Sequence, residues 1–301
     1  MIGGKTIDID KTRWFEEEDQ SPKFSMKDFG LGIKVLQARR DGEKTAALLG
    51  TYRLPGRFGY RYGGKITQAI HIVMVDIKAG SLFFSNVASP HSAPVVVKEP
   101  PDVTKLPDDE AEIVAVEGHF NVDLSAQLGL GPKEAEYVTF AWIDEITSPI
   151  ELVELAENDK RPEPPPEPVG SVGADVLRFT RHDGFPKPPK GGIALTSNAG
   201  KVPLAALKVF CAADPALLPK SEPQAEDPPT YVFLAAVGQT DQRFVWAAAP
   251  VPYEGLKKKE CAFEVVLGHL VDQSEEIQRA HVIAIVGGEK SDVLVVEPKK
   301  P

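Results

Sequence analysis

The sequence predicts an all-β chain of two tandem sandwich domains that arose by internal duplication. Three observations predict it: a hairpin pattern that occurs twice, short runs of β-branched and aromatic residues broken by turn residues, and a proline-rich stretch between the halves. The hairpin is clearest in residues 71–90, HIVMVDIKAGSLFFSNVASP, and in residues 231–250, YVFLAAVGQTDQRFVWAAAP, an offset of 160. Each copy is an apolar run, four polar turn residues, a second apolar run and a closing Ala-X-Pro.

Taken in order, residues 1–30 read as an irregular lead-in around Trp14 and Phe15, with one edge strand over 6–10. From Ile33 the pattern is regular: IKVLQA, a turn at Asp41 and Gly42, then TAALLGTYRL. This is a hairpin signal, because glycine supplies the positive φ that such turns need. The second half answers with IALTS, a turn at Asn198, Ala199 and Gly200, then VPLAALKVF; setting Ala47 on Ala205 puts Leu49 on Leu207 and Tyr52 on Phe210, an offset of 158. Downstream, FNVDL (120–124) matches FEVVL (263–267), and Ser148 matches Ser291, both at an offset of 143. Short helical turns are expected over 125–130 and 273–279, each followed by a strand pair.

Each half thus offers six or seven short strands with turn signals about every 8 to 12 residues and no long amphipathic helix. The profile resembles an immunoglobulin-like, Greek-key sandwich, with a barrel as the alternative; the Cys-Trp-Cys triplet of antibody domains is absent. The expected organisation is a first domain over 1–155 that includes the lead-in, a linker rich in proline and charge over 156–172, and a second domain over 173–301. Five prolines between Pro162 and Pro168 are expected to hold the linker as an extended polyproline-II spacer. A second proline cluster, HDGFPKPPKGG at 182–192, is expected to wrap the edge of the second regular region.

The 301 residues are enough for two domains that bury their cores without metal or disulfide. A formal charge of -10 opposes non-specific binding to nucleic acid or to an anionic membrane surface. With 18 basic and 26 acidic residues up to position 160, and 16 and 18 after it, the halves carry -8 and -2. No run of about 18 apolar residues is present to span a bilayer, and no signal-peptide pattern opens the chain, so a cytoplasmic setting is expected. Cys211 and Cys261, both beside apolar residues in the second half, are expected to be free and buried rather than bridged.

Catalytic motifs are lacking. The six histidines at 71, 91, 119, 182, 269 and 281 do not pair at ligand spacing, and no catalytic residue, metal ligand or cofactor is assigned. His119 and Asp123 would share one face of a strand, the seed of an acid/base or metal site. The acidic cluster Asp108, Asp109, Glu110 and Glu112 lacks the spacing of a calcium loop.

One stretch departs from the acidic background. RLPGRFGYRYGGK, residues 53–65, concentrates cationic, aromatic and glycine residues and is expected to form a loop. Arg53, Arg57, Phe58, Tyr60, Arg61, Tyr62 and Lys65 are its candidate binding residues, since guanidinium forks take carboxylate, phosphate or sugar hydroxyls and the aromatic rings give stacking faces. The alternative is an arm whose arginines rest on surface carboxylates. The functional expectation is a non-catalytic structural or interaction protein that binds a protein partner, another copy of itself included, with an acidic 221–228 loop as one complement. The alternatives are a carbohydrate- or anion-binding module using 53–65 and a hydrolase with a loop-assembled site near His119.

Overall fold

The computed structural model describes residues 6–10, 22, 29–87, 115–130, 134–155, 171–172, 176–180, 183–200, 202–219, 229–239, 243–270 and 279–298. The lead-in around Trp14, the acidic cluster at 108–112, the prolines at 162–168, the 221–228 loop, His91 and His182, and residues 273–278 lie outside the described residues. The chain divides into two compact units, residues 1–75 with 83–166 and residues 76–82 with 167–301.

In the first unit the strands are β1 (Ile7–Asp8), β2 (Gly30–Arg40), β3 (Glu43–Pro55), β4 (His71–Asp76), β5 (Ser81–Asn86), β6 (Ala115–Asp123), β7 (Ala135–Ile143), β8 (Ile146–Thr147) and β9 (Glu151–Leu155). One sheet has the order β1-β2-β3-β6, and the other β5-β4-β7-β8 with β9 also on β7. Leu31, Ile33, Leu48, Tyr52, Phe120 and Val122 from the first sheet share one core with Ile72, Met74, Tyr137, Ala141 and Val153 from the second. This is a sandwich: alternate residues of each strand face inward, so two half-apolar sheets close on one another.

The second unit has β10 (Ser171–Val172), β11 (Leu177–Phe179), β12 (Ile193–Ser197), β13 (Lys208–Ala213), β14 (Tyr231–Gly238), β15 (Phe244–Pro250), β16 (Cys261–Val266), β17 (Ala280–Val286), β18 (Glu289–Lys290) and β19 (Leu294–Val296). Its sheets run β11-β16-β13-β12 and β10-β15-β14-β17-β18, with β19 also on β17, so β12 to β19 repeat the connectivity of β2 to β9. Both units are immunoglobulin-like, Greek-key sandwiches. Residues 171 and 172, placed by the sequence at the end of the linker, instead pair with β15 in parallel.

The register corrects one reading of the repeat. Phe120 lies opposite Gly50 and Phe263 opposite Cys211, so with Phe120 set on Phe263, Gly50 corresponds to Cys211, an offset of 161 rather than 158. A slip of three is odd and turns every side chain to the other face. Accordingly Tyr52 points into the core, whereas Phe210 is on the outer face against Phe185. The error came from the second hairpin: residues 198–207 are not a tight turn but a loop with a 3-10 turn at Leu204–Ala206, tied by Asn198, which accepts from Lys208 N and donates to Ala206 O. In the β4 hairpin the matching shift is small and even: Ile72 faces Ala141 as Leu234 faces Ala284, an offset of 162, so the face is kept.

Two features were legible. Asp41 and Gly42 adopt φ +50° and +81° and close the β2–β3 hairpin in two residues. Ser148 and Ser291 make the same contacts in each unit. The Ser148 Oγ accepts from Ala141 N at 2.9 Å and donates to Pro149 O at 2.8 Å, and the Ser291 Oγ accepts from Ala284 N at 3.0 Å and donates to Asp292 O at 2.8 Å. Each serine also donates its own N–H to that alanine's carbonyl at 2.9 Å, so both are clamped on the preceding strand.

Candidate functional site

Residues 53–65 are not a loop. Arg53 lies near the end of β3, and after Pro55 the chain enters a helix, α1 (Gly56–Tyr62), a 3-10 turn at Gly63–Lys65 and a second short helix, α2 (Ile66–Ala69). Glycines at 56 and 59 concealed a helical period, because glycine disfavours helix on its own. Tertiary contacts supply what propensity does not. Phe58 is 1% exposed and belongs to the core of the first unit, so it is a packing residue and not a ligand-facing one. Tyr62, one turn on, keeps its ring 6.3 Å from that of Phe58.

Polar side chains flanking Phe58 on α1 are anchored too. Arg57 meets Glu145 at 2.5 Å, Arg61 pairs with Asp144, and the Tyr62 hydroxyl donates to Asp144 at 2.8 Å. Asp144 sits between β7 and β8 with φ +46°, its side chain buried, and its carbonyl accepts from Trp142 Nε1 at 2.6 Å. Burial opposes the Arg61 charge, but Asp144 and Tyr62 hold its pKa above the ordinary value. Burial first and the Asp144 carboxylate second raise the Tyr62 hydroxyl. Arg53 lies apart from this group, 3.3 Å from Glu117 and over the Phe29 ring. The arginines therefore rest on local carboxylates, and the structure brings Arg57, Arg61 and Tyr62 together through Asp144 and Glu145, two residues the sequence did not single out.

What α1 leaves outward is ordered. Arg57, Tyr60 and Arg61 fall at i, i+3 and i+4, one face of a helix, and all three are exposed, Tyr60 by 37%. Lys65 is exposed just beyond.

His119 and Asp123 do share a face of β6, on the outer side of its sheet with Asn121, opposite Thr51, Leu49 and Ala47. Asp123 is committed to structure. It caps the helix Leu124–Leu128 by accepting from Ser125 N and Ala126 N, accepts from Thr45 Oγ1 at 3.3 Å, and meets Arg40 at 2.6 Å. Burial raises its pKa, and Arg40 and those hydrogen bonds oppose the rise. Cys211 and Cys261 are free and buried; burial raises both thiols, Cys261 to about 12. No helix among the described residues is long and apolar enough to cross a membrane.

No protein-family model and no curated protein matches the chain. Among solved structures it is similar to one titled as the FN1-FN3 domains of chicken CNTN1, at 8% identity and a TM-score of 0.19. The match covers 84% of this chain and 63% of that one, less than two thirds of its length.

Proposed function

We propose that the chain is a non-catalytic interaction or structural module, and that the exposed face of α1 contacts a protein partner, a second copy of the chain being the first candidate. The observation that carries this reading is Tyr60, exposed between Arg57 and Arg61 on a helix that Phe58 fixes in the core and that Arg61 and Tyr62 tie to Asp144. Tyrosine and arginine are the residues most enriched at energetic centres of interfaces, and a face already ordered loses little entropy on docking. The anion- or carbohydrate-binding reading is weaker, since Arg57 and Arg61 already face carboxylates. A cytoplasmic setting fits this reading, because free thiols persist there.

Mass in solution tests it. Light scattering of the purified chain is expected to give a mass above 32.6 kDa at micromolar concentration. Tyr60→Ala combined with Lys65→Glu should return it to the monomer with thermal unfolding unchanged. A monomeric wild type rules out the second copy as the occupant, and an assembly indifferent to these changes refutes the α1 interface.

A further inference from the structure

The proline cluster that precedes β12 carries a second surface, independent of α1. We propose that residues 185–190, Phe-Pro-Lys-Pro-Pro-Lys, are a preformed polyproline-II ligand for a protein module whose groove is lined by aromatic side chains and rimmed by carboxylates. The backbone follows from the residues. Pro186, Pro188 and Pro189 have φ fixed near the polyproline-II value, and Phe185, Lys187 and Pro188 each precede a proline, which disfavours the helical region for them. Residues 186–189 accordingly form neither helix, strand nor turn.

Both ends of the segment are fixed to the sandwich. The Phe185 ring packs edge-on to Phe210 of β13, centroids 5.5 Å apart, on the outer face of the β11-β16-β13-β12 sheet. Beyond the prolines, Gly192 N donates to Pro189 O at 3.1 Å, and Asp214 N donates to Gly192 O at 2.9 Å. A polyproline-II helix has three residues per turn, so positions i and i+3 share an edge. Phe185 and Pro188, both half-buried, form the edge toward the sheet. Lys187, exposed, begins a cationic edge that Lys190, exposed in the turn closed by the Gly192 N to Pro189 O hydrogen bond, continues, and Pro186, half-buried, and Pro189, exposed, form the third.

This is the display that proline-recognising grooves read: a ridge of prolines beside a line of positive charge, with little entropy left to lose. In a chain of net charge -10 the two lysines favour an acidic rim on the partner. The acidic proline stretch at 162–168 has the opposite charge pattern and is not part of this proposal.

The test titrates the full chain against a panel of purified SH3 and WW domains, followed by the fluorescence of their groove tryptophans. At least one domain should bind saturably. Pro186→Ala with Pro189→Ala, and separately Lys187→Glu with Lys190→Glu, should each weaken it about tenfold or more, with thermal unfolding unchanged. A free peptide of residues 183–192 should bind about tenfold more weakly than the chain, and Phe185→Ala should bring the chain toward the peptide. No saturable binding across the panel up to millimolar concentration, binding indifferent to the proline and lysine changes, or a peptide as tight as the chain overturns the proposal. So does a dimer mass lost in the same variants, which would make a second copy the occupant.

Discussion

The two units solve the same packing problem in different ways where β3 meets β6 and β13 meets β16. In the first, Tyr52 lies over Gly118 and Phe120 over Gly50, each ring occupying the space in front of the glycine across from it. In the second, the corresponding pairs are Ala213 with Cys261 and Cys211 with Phe263. The two cysteines thus stand where the first unit has its two glycines. One large ring has become alanine, and two thiols fill the volume given up. The scaffold fixes only the sum of the volumes at facing positions, and side chains can share it out in more than one way.

The largest effect expected is that of forcing one arrangement onto the other. A Cβ on Gly50 would lie 2.6 Å from Phe120 Cε1, with two more ring atoms closer, and the ring is buried. Gly50→Cys should cost the first unit about 3 kcal/mol in urea unfolding, the upper range for overpacking. Adding Phe120→Leu should recover part of that loss; a Gly50→Cys variant as stable as wild type breaks the comparison.

Next in size is Arg61→Ala. It leaves the buried Asp144 carboxylate with the Tyr62 hydroxyl but without its cation. Since Arg61 is itself partly exposed, solvent screens the pair, and a loss of about 2 kcal/mol is expected by denaturant unfolding. Among the described residues of the second unit, Asp214 instead precedes a 3-10 turn at Pro215–Leu217 and accepts from Ala216 N.

Ser148→Ala and Ser291→Ala should each cost about 1 to 2 kcal/mol, by stranding the buried N–H of Ala141 or Ala284. Equal costs would show that this device serves both units alike, and a twofold or larger inequality would show that it does not.

The smallest effect concerns Asp123. Its folded pKa is raised above 3.8, so between that value and the folded one the native state holds more proton than the unfolded chain does. Stability therefore falls as pH rises through that window. Asp123→Asn keeps a residue that caps helices well and should flatten this segment of the pH profile. An unchanged slope would show that the burial of Asp123 does not set it.

Much of this was legible from residue patterns alone. The β2–β3, β4–β5 and β14–β15 hairpins, the two-residue turn at Asp41 and Gly42, the match of Ser148 to Ser291 and a short helix beginning near Ser125 all rest on local signals, namely alternation, turn glycines and the repeat offset. The register of β13 was not, because Ala205, Ala206 and Leu207, at the end of the 3-10 turn, imitate the Ala-Ala-Leu run of β3. Residues 53–65 misled for a related reason. Glycine, arginine and tyrosine carry a loop signature, but Phe58 and the buried Asp144 turn the segment into a helix, and Asp144 lies more than 80 residues further along the chain. A site assembled over that separation has no period to read.

The contrast between the β2–β3 turn and the 198–207 loop also has a kinetic side. The first joins eleven facing residue pairs through two turn residues, whereas the second joins five through ten. Closing the shorter loop loses less chain entropy before the first contacts form, and hairpins of that kind close on the order of 1 to 10 μs. At this hairpin the first unit thus has the easier start. In pulse-labelled hydrogen exchange during refolding, amides of Lys34 to Ala38 should gain protection before those of Leu195 to Ser197. With one connectivity in both units, a difference in a single loop is enough to give them different starting points for folding.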